Sequence, residues 1–272
     1  MTLVNYDLKE GVATLTLSNP PANAYSTRMF EEMDAAILDA RRNKQVEVIV
    51  VTGAGEKFFC AGADIGMLAE ADPEEKYYFC LHANETLLRL ENTPKLVIAA
   101  LNGHCVGGGL EVALAADLRV ALTTFSGKIG LPEVGLGVLP GTGGTQRLAR
   151  LLGKSHAIEL MAEGTLLTAE EAKEKGLVNR LLEGDNFQAV VHEYARSFCN
   201  PVKSSRAIGH IKRAVSGGID LPLESGLALE RELQQRLFTG PDAAEGISAF
   251  NVGRKPQFGN QVETGAAAPH SS

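Results

Sequence analysis

The chain predicts an α/β fold, with a sheet-and-helix core followed by a largely helical C-terminal part. Three observations carry that reading. Strand-length, β-branched runs alternate with helical patterns up to about residue 135, and helical patterns dominate afterwards. Hydrophobic residues make up 44% of the 272, ample for a buried core that needs neither disulfide nor metal. Glycine is in excess, 29 residues or about 11% against roughly 7% in average usage, too little and too irregular for a fibrous repeat.

The elements follow in order. The first residues run straight into strand-like sequence, and Val12-Ala13-Thr14-Leu15-Thr16-Leu17 alternates as a strand that Asn19-Pro20-Pro21 stops. From about Thr27 to Asn43, Met29, Phe30, Met33, Ile37 and Leu38 share one helical side. Residues 46–51 read as a buried strand and residues 53–64 as a long loop. Asp72-Pro73-Glu74-Glu75 is a helix start, with Asp as N-cap, Pro at the first position and Glu at the third, and the helix runs to about Glu91. A strand at 95–101, a Gly-rich turn, a short helix at 108–116 and a strand at 118–121 come next. Helices are expected near 141–152, 155–163, 168–175, 186–199, 201–216, 221–238 and 241–252. The organisation is thus a core over 1–200, a C-terminal helical region over 201–258, and a Gly/Ala/Ser-rich tail over 259–272 with no periodicity, expected to be disordered.

Charge and composition narrow the function. A net charge of −7 repels polyanions and argues against nucleic acid as a partner, while leaving room for a small anionic ligand. Cys60, Cys80, Cys105 and Cys199 fall in no paired motif and read as reduced thiols of a cytoplasmic chain. No signal segment and no membrane-length apolar run is seen. The P-loop spacing, the dinucleotide G-x-G-x-x-G, the G-x-S-x-G elbow and the H-E-x-x-H metal pair are all lacking, so no metal or separate cofactor is expected.

Three segments carry candidate chemistry. Gly107-Gly108-Gly109-Leu110-Glu111 follows a strand and opens a helix. Bare main-chain N–H groups at a helix N-terminus are unpaired and favour negative charge. Gly108 and Glu111 lie three apart, on adjacent turns of one face, so an amide could hold an oxyanion while the carboxylate meets neighbouring atoms. A tight strand–helix junction with a dipole-favoured Glu accounts for the same spacing. Phe58-Phe59-Cys60-Ala61-Gly62-Ala63-Asp64-Ile65 suggests a backbone closely approached by a ligand, or a packed loop with Asp64 capping a helical turn. Leu131-Pro132-Glu133 and Gly141-Thr142-Gly143-Gly144 form the third. Spacing alone does not bring Glu133 to Glu111.

Taken together, these segments resemble the crotonase (enoyl-CoA hydratase/isomerase) superfamily over about residues 3–258. Pro21-Ala22-Asn23-Ala24, Phe59 through Ile65, Gly103 through Glu111, Leu131 through Leu136, Pro140 through Leu148, Ala243 through Phe250 and Arg254-Lys255-Pro256 carry it. The resemblance implies a crotonase-like spiral of β-β-α turns with a C-terminal helical trimerisation region, a homotrimer or dimer of trimers, and a place in fatty-acid β-oxidation. It implies an acyl-CoA thioester as substrate, CoA being part of that substrate. The Ala63 and Gly108 amides would form the oxyanion hole, and Ala22, Ala24, Ala61, Gly62, Asp64 and Ile65 would line the CoA path. Glu111 and Glu133 would be the two catalytic glutamates, with the Gly141 amide positioning water. Lys255 would reach a CoA phosphate, completed by a neighbouring subunit.

Hydration of a 2-enoyl thioester builds charge on the carbonyl oxygen, which two preorganised amides stabilise, while one ionised and one protonated glutamate activate water and deliver a proton. On the sequence, Glu133 is assigned as base on water and Glu111 as partner in proton delivery, the two titrating as a coupled pair. Two features depart from the usual hydratase pattern. Residues 123–128 make the segment between the glutamates about two residues longer, and Gly66 stands where many hydratases carry Lys. The alternatives are an enoyl-CoA isomerase, a CoA-thioester hydrolase, and a non-catalytic or RNA-binding protein on the same scaffold.

Overall fold

A computed structural model describes residues 2–259, and the chain forms two compact units, one ending at Arg196 and the other beginning at Ser197. The expected tail lies, from residue 260 on, outside the described residues.

In the first unit, β1 (Val4–Lys9) and β2 (Val12–Leu17) form an antiparallel pair, joined by Glu10 and Gly11. The sheet then continues in parallel through β3 (Val48–Gly53), β5 (Leu96–Leu101), β7 (Leu118–Leu122) and β9 (Arg180–Leu182). Its central strands are nearly continuous apolar runs, as parallel strands covered on both faces must be: all six residues of β5 are buried. A second, smaller parallel sheet is built from β4 (Phe58–Cys60), β6 (His104–Val106) and β8 (Ile129–Gly130). β4 lies within the segment that the sequence reads as loop, and β6 within the expected Gly-rich turn. Strands of two or three residues are shorter than any periodicity can reveal.

Each turn of chain gives one strand to the large sheet, one to the small sheet and then a helix. β3 and β4 lead to α2 (Ile65–Glu70) and α3 (Pro73–Glu91), β5 and β6 to α4 (Gly108–Leu114), and β7 and β8 to a 3-10 turn (Glu133–Leu136) and α5 (Gly144–Leu152). This is the expected β-β-α progression. α1 (Thr27–Arg42) is capped by Ser26 and buries Met29, Phe30, Met33 and Ile37. α3 has the expected start in full, a reciprocal capping box between Asp72 and Glu75. The aromatic rings of Tyr25, Phe30 and Phe79 lock the two helices to the start of the site, with centroids 4.8–5.9 Å apart. α6 (Lys154–Glu163), α7 (Ala169–Glu174) and α8 (Phe187–Arg196) complete the unit.

The second unit contains α9 (Ser205–Gly218), α10 (Leu223–Phe238) and α11 (Pro241–Asn251). Ser204 caps α9 and donates to Asp242, while Arg254 pairs with Glu245 at 2.6 Å. Helical residues Ile211, Val215, Leu223, Phe238 and Phe250 are exposed.

The small sheet fixes where the site forms. Its three strands are parallel, so the segments leaving their carboxyl ends emerge on one side. Those segments carry residues 61–64, 107–111 and 131–133. Asn23 ties the preceding loop to the same place: it is 3% exposed, and its side-chain amide donates to the carbonyls of Ala54 (2.9 Å) and Phe58 (2.8 Å). Its φ of +51° is one that Asn tolerates better than Ala. Asn23→Ala is expected to lower stability by about 1–3 kcal/mol, because the Ala54 carbonyl loses its donor and the Phe58 carbonyl keeps only Asn102. A shift of the urea unfolding midpoint to lower concentration checks this.

Candidate active site

The N-terminus of α4 is the first half of the site. Gly107 caps the helix with φ +55° and ψ −136°, a backbone that side-chain-bearing residues rarely adopt, and this turn directs Gly108 into the first helical position. The N–H of Gly108 finds no acceptor among the described residues. Its α-carbon lies against the Tyr25 hydroxyl so closely that a Cβ would stand 1.7 Å from that oxygen. Only glycine fits, and the amide is left bare. All seven residues of α4 are buried.

The loop after β4 supplies the second half. Tyr25 N–H donates to the Gly62 carbonyl at 2.8 Å, and Asp64 N–H donates to the Tyr25 carbonyl at 2.9 Å. In this parallel bridge the residue between them, Ala63, turns its N–H away from Tyr25, and it too has no acceptor among the described residues. A Cβ added at Gly62 would stand 2.9 Å from the Gly108 nitrogen, so the two glycine-bordered backbones run in contact. Ala61 N–H donates to the Ala22 carbonyl (3.0 Å), and Asn19 holds the Ala24 carbonyl (2.7 Å). The structure therefore brings Ala22, Ala24, Ala61, Gly62 and Ala63 to one place with Gly108. Asp64 is spent on the helix it begins: its carboxylate accepts from the amides of Gly66 (2.8 Å) and Met67 (3.2 Å). Ile65 follows on the surface, exposed. Lys255 is an exposed residue of the second unit, beside the Arg254–Glu245 pair.

Glu111 is 1% exposed and held by three donors. Its Oε1 accepts from the amides of Thr142 (2.8 Å) and Gly144 (2.7 Å), and its Oε2 accepts from the Thr142 hydroxyl. The Tyr25 hydroxyl stands 3.3 Å from Thr142 Oγ1. With the threonine proton directed at Glu111, Tyr25 donates and Thr142 accepts. Burial and the nearby Glu111 push the Tyr25 phenol well above its usual range, so it keeps its proton. Tyr25 thus touches both halves: its backbone sets Ala63, its ring supports Gly108, and its hydroxyl reaches Glu111 through Thr142.

Glu133 stands over the same spot. A Cβ at Gly107 would lie 3.2 Å from Glu133 Oε1, whereas Oε2 is buried with no hydrogen-bond partner among the described residues. Burial first, and repulsion from Glu111 in addition, raise its carboxyl to about 7. The longer segment at 123–128 is followed at once by β8, which pairs with β6, Cys105 with Ile129 and Val106 with Gly130, and so rejoins the small sheet before Glu133. Gly141 lies next to Thr142, and a Cβ there would meet Cys80 Sγ at 3.4 Å and Lys76 Nζ at 3.9 Å.

The structure brings both sequence-predicted glutamates and both sequence-predicted amides together, and it adds Tyr25, Thr142 and Asn23, to which sequence reasoning assigns no role. Thr142 has a signal: it is the only residue with a side-chain donor between Pro140 and Thr145. Tyr25 has none beyond following Asn23-Ala24. Among the described residues no cluster of three or more His, Cys, Asp or Glu is placed to hold a metal. A separate cavity of about 1430 Å³ lies between the large sheet and α8, lined by none of these residues.

The chain is similar to known proteins over nearly its whole length. Residues 7–261 match the family Enoyl-CoA hydratase/isomerase. The short-chain-enoyl-CoA hydratase of Clostridium acetobutylicum is 37% identical over 91% of this chain and 94% of its own. The crotonyl-CoA hydratase of Syntrophomonas wolfei is 34% identical over 92% and 95%. A crystal structure of enoyl-CoA hydratase from Bacillus anthracis superimposes with a TM-score of 0.88 at 34% identity, covering 95% of this chain and all of that one. A Geobacillus kaustophilus structure of "Enoyl-CoA hydrates" reaches 0.91 at 44% identity, covering 96% and 98%.

The raised carboxyl of Glu133 has a stability consequence. Its protonated form is favoured by the fold, so that contribution is full below the unfolded value of 4.5 and is lost as pH rises through about 7. Glu133→Gln, which cannot ionise, should therefore melt at a higher temperature relative to the parent at pH 8 than at pH 5. Calorimetric melting at the two pH values checks this; a difference that is constant or larger at pH 5 contradicts it.

Proposed function

The chain belongs to the enoyl-CoA hydratase/isomerase family, and from that premise we propose that it hydrates 2-enoyl-CoA thioesters to 3-hydroxyacyl-CoA. The observation that carries the proposal is the meeting of two acceptor-free amides, Ala63 and Gly108, with two glutamates in different environments.

In this reading the thioester oxygen sits between the two amides. Neither donor has another partner to abandon, so both strengthen as enolate charge develops. Each is worth roughly 2.7–4 kcal/mol on the barrier by comparison with similar donors elsewhere. Water adds to C3, its proton goes to a carboxylate, and the π electrons move to the oxygen. The enolate then takes a proton at C2, and a proton passes between the carboxylates to restore the pair.

The hydrogen bonds support a division of labour opposite to the one expected from sequence. Glu111 is fixed by three donors and acts only as an acceptor, suited to take the proton of water. Glu133 is poised near neutrality with a bare oxygen, suited to give a proton to C2. The Gly141 amide, next to Thr142, would hold the water. The scheme uses no cofactor, since CoA arrives on the substrate. Ala22, Ala24 and residues 61–65 would line the CoA path, and Lys255 of a neighbouring subunit would meet a phosphate.

The exposed apolar residues of α9, α10 and α11 support self-association as a homotrimer or dimer of trimers, and sedimentation equilibrium should give three or six times 28.9 kDa, not one. None of the four cysteines is in a disulfide, in keeping with a cytoplasmic protein, and among the described residues no helix is long and apolar enough to cross a membrane.

Loss of the conjugated thioester absorbance of crotonyl-CoA tests the reaction. Absence of turnover across short, long, cyclic and carboxylate-ended enoyl-CoAs, or preferred shift of the double bond in 3-enoyl-CoA, overturns it. With Glu133 as the acid, kcat/KM should fall as pH rises above about 7. Glu133→Gln should lower kcat about 10²–10⁴-fold and remove that limb. A rate that instead rises through pH 7 would assign Glu133 as the base.

A further inference from the structure

Lys76 lies on the first turns of α3, facing the site beside Gly141. It is half-buried, and its ammonium turns inward: Nζ donates to Cys80 Sγ at 3.3 Å and stands 5.1 Å from the centre of the Phe79 ring. Phe79 in turn packs on Tyr25, with centroids 5.9 Å apart. The cation is therefore held against the wall that carries Tyr25, Thr142 and Glu111.

No carboxylate pairs with Lys76 among the described residues. The nearby acids of its own helix are engaged elsewhere: Asp72 accepts from the amides of Glu74 and Glu75, and Glu75 reaches back to the Asp72 amide. A thiol and an aromatic face are weak partners for an ammonium that is partly withdrawn from water. A position near a helix N-terminus gives a cation no help from the helix dipole either. The fold thus holds a positive charge, short of a counter-ion, a few ångströms past the residue whose amide would hold the attacking water.

We propose that Lys76 forms the far end of the acyl pocket and selects thioesters whose acyl chain ends in a carboxylate. The inference rests on the acyl-CoA reading above. If the thioester carbonyl lies at Ala63 and Gly108 and water joins C3 near Gly141, the chain beyond C3 continues towards α3. A terminal carboxylate there meets the ammonium directly. The contact is a charge-assisted hydrogen bond in a partly dry site, stronger than the one to Cys80 that it replaces.

Binding of saturated analogues, which cannot turn over, tests this independently of hydration. Glutaryl-CoA and pentanoyl-CoA share five acyl carbons and the whole of CoA, and differ in the terminal carboxylate. By titration calorimetry the native protein should bind glutaryl-CoA more tightly. Lys76→Met should lower the glutaryl/pentanoyl affinity ratio at least 10-fold, and Lys76→Arg should retain it. Two outcomes overturn the proposal: pentanoyl-CoA binding as tightly as glutaryl-CoA to the native protein, or a ratio unchanged in Lys76→Met. An unchanged ratio with both affinities lowered equally would place the ammonium on a CoA phosphate. Failure to hydrate both crotonyl-CoA and the carboxylate-ended glutaconyl-CoA, with the binding preference intact, would remove the proposed reaction and leave this pocket assignment standing.

Discussion

A carboxylate withdrawn from water must be given donors, and the surroundings of Glu111 are organised around that requirement. Glu111 sits on a helix with no exposed residue, so solvent offers it nothing. The 140–144 turn comes to it instead, presenting two amides and a hydroxyl. The hydroxyl belongs to Thr142, and Tyr25 lies behind it. Tyr25 occupies the volume a side chain at 108 would need, and its backbone sets the loop that carries Ala63. Satisfying one buried acid thereby fixes the geometry of both backbone donors.

Glu133 is the complement. It is brought to the same place by a different strand with Oε2 lacking a partner among the described residues, and burial outweighs the opposing hydrogen bond from its own backbone. Two like groups in unlike surroundings are pushed towards unlike roles. The small parallel sheet makes this possible, because its three strands deliver residues 61–64, 107–111 and 133 from separate parts of the chain to one edge. The longer segment at 123–128 rejoins the same sheet by strand pairing before Glu133.

Much of this is legible in the sequence, for local reasons. The helix over 73–91 is announced by Asp72-Pro73-Glu74-Glu75, whose capping chemistry is complete within four residues. Buried strands β3 and β5 show as continuous apolar runs. The bare amide at Gly108 follows from three glycines at the mouth of a helix. The small sheet does not show, because its strands are shorter than one reliable period. Nor does the contact between Tyr25 and Thr142, 117 residues apart, or the contact between Glu111 and Thr142, 31 apart. Asp64 illustrates the converse: the loop reading and the capping reading predict the same residue, and its hydrogen bonds to Gly66 and Met67 show the capping role.

The central claim is that the amides of Ala63 and Gly108 together polarise a thioester carbonyl. Isotope-edited infrared spectroscopy of bound crotonyl-CoA, labelled with carbon-13 at the carbonyl, reads that polarisation in the ground state. Two converging donors predict a carbonyl stretch at lower frequency than in the free thioester. A bound ligand whose carbonyl stretch stays at the free value would contradict the account.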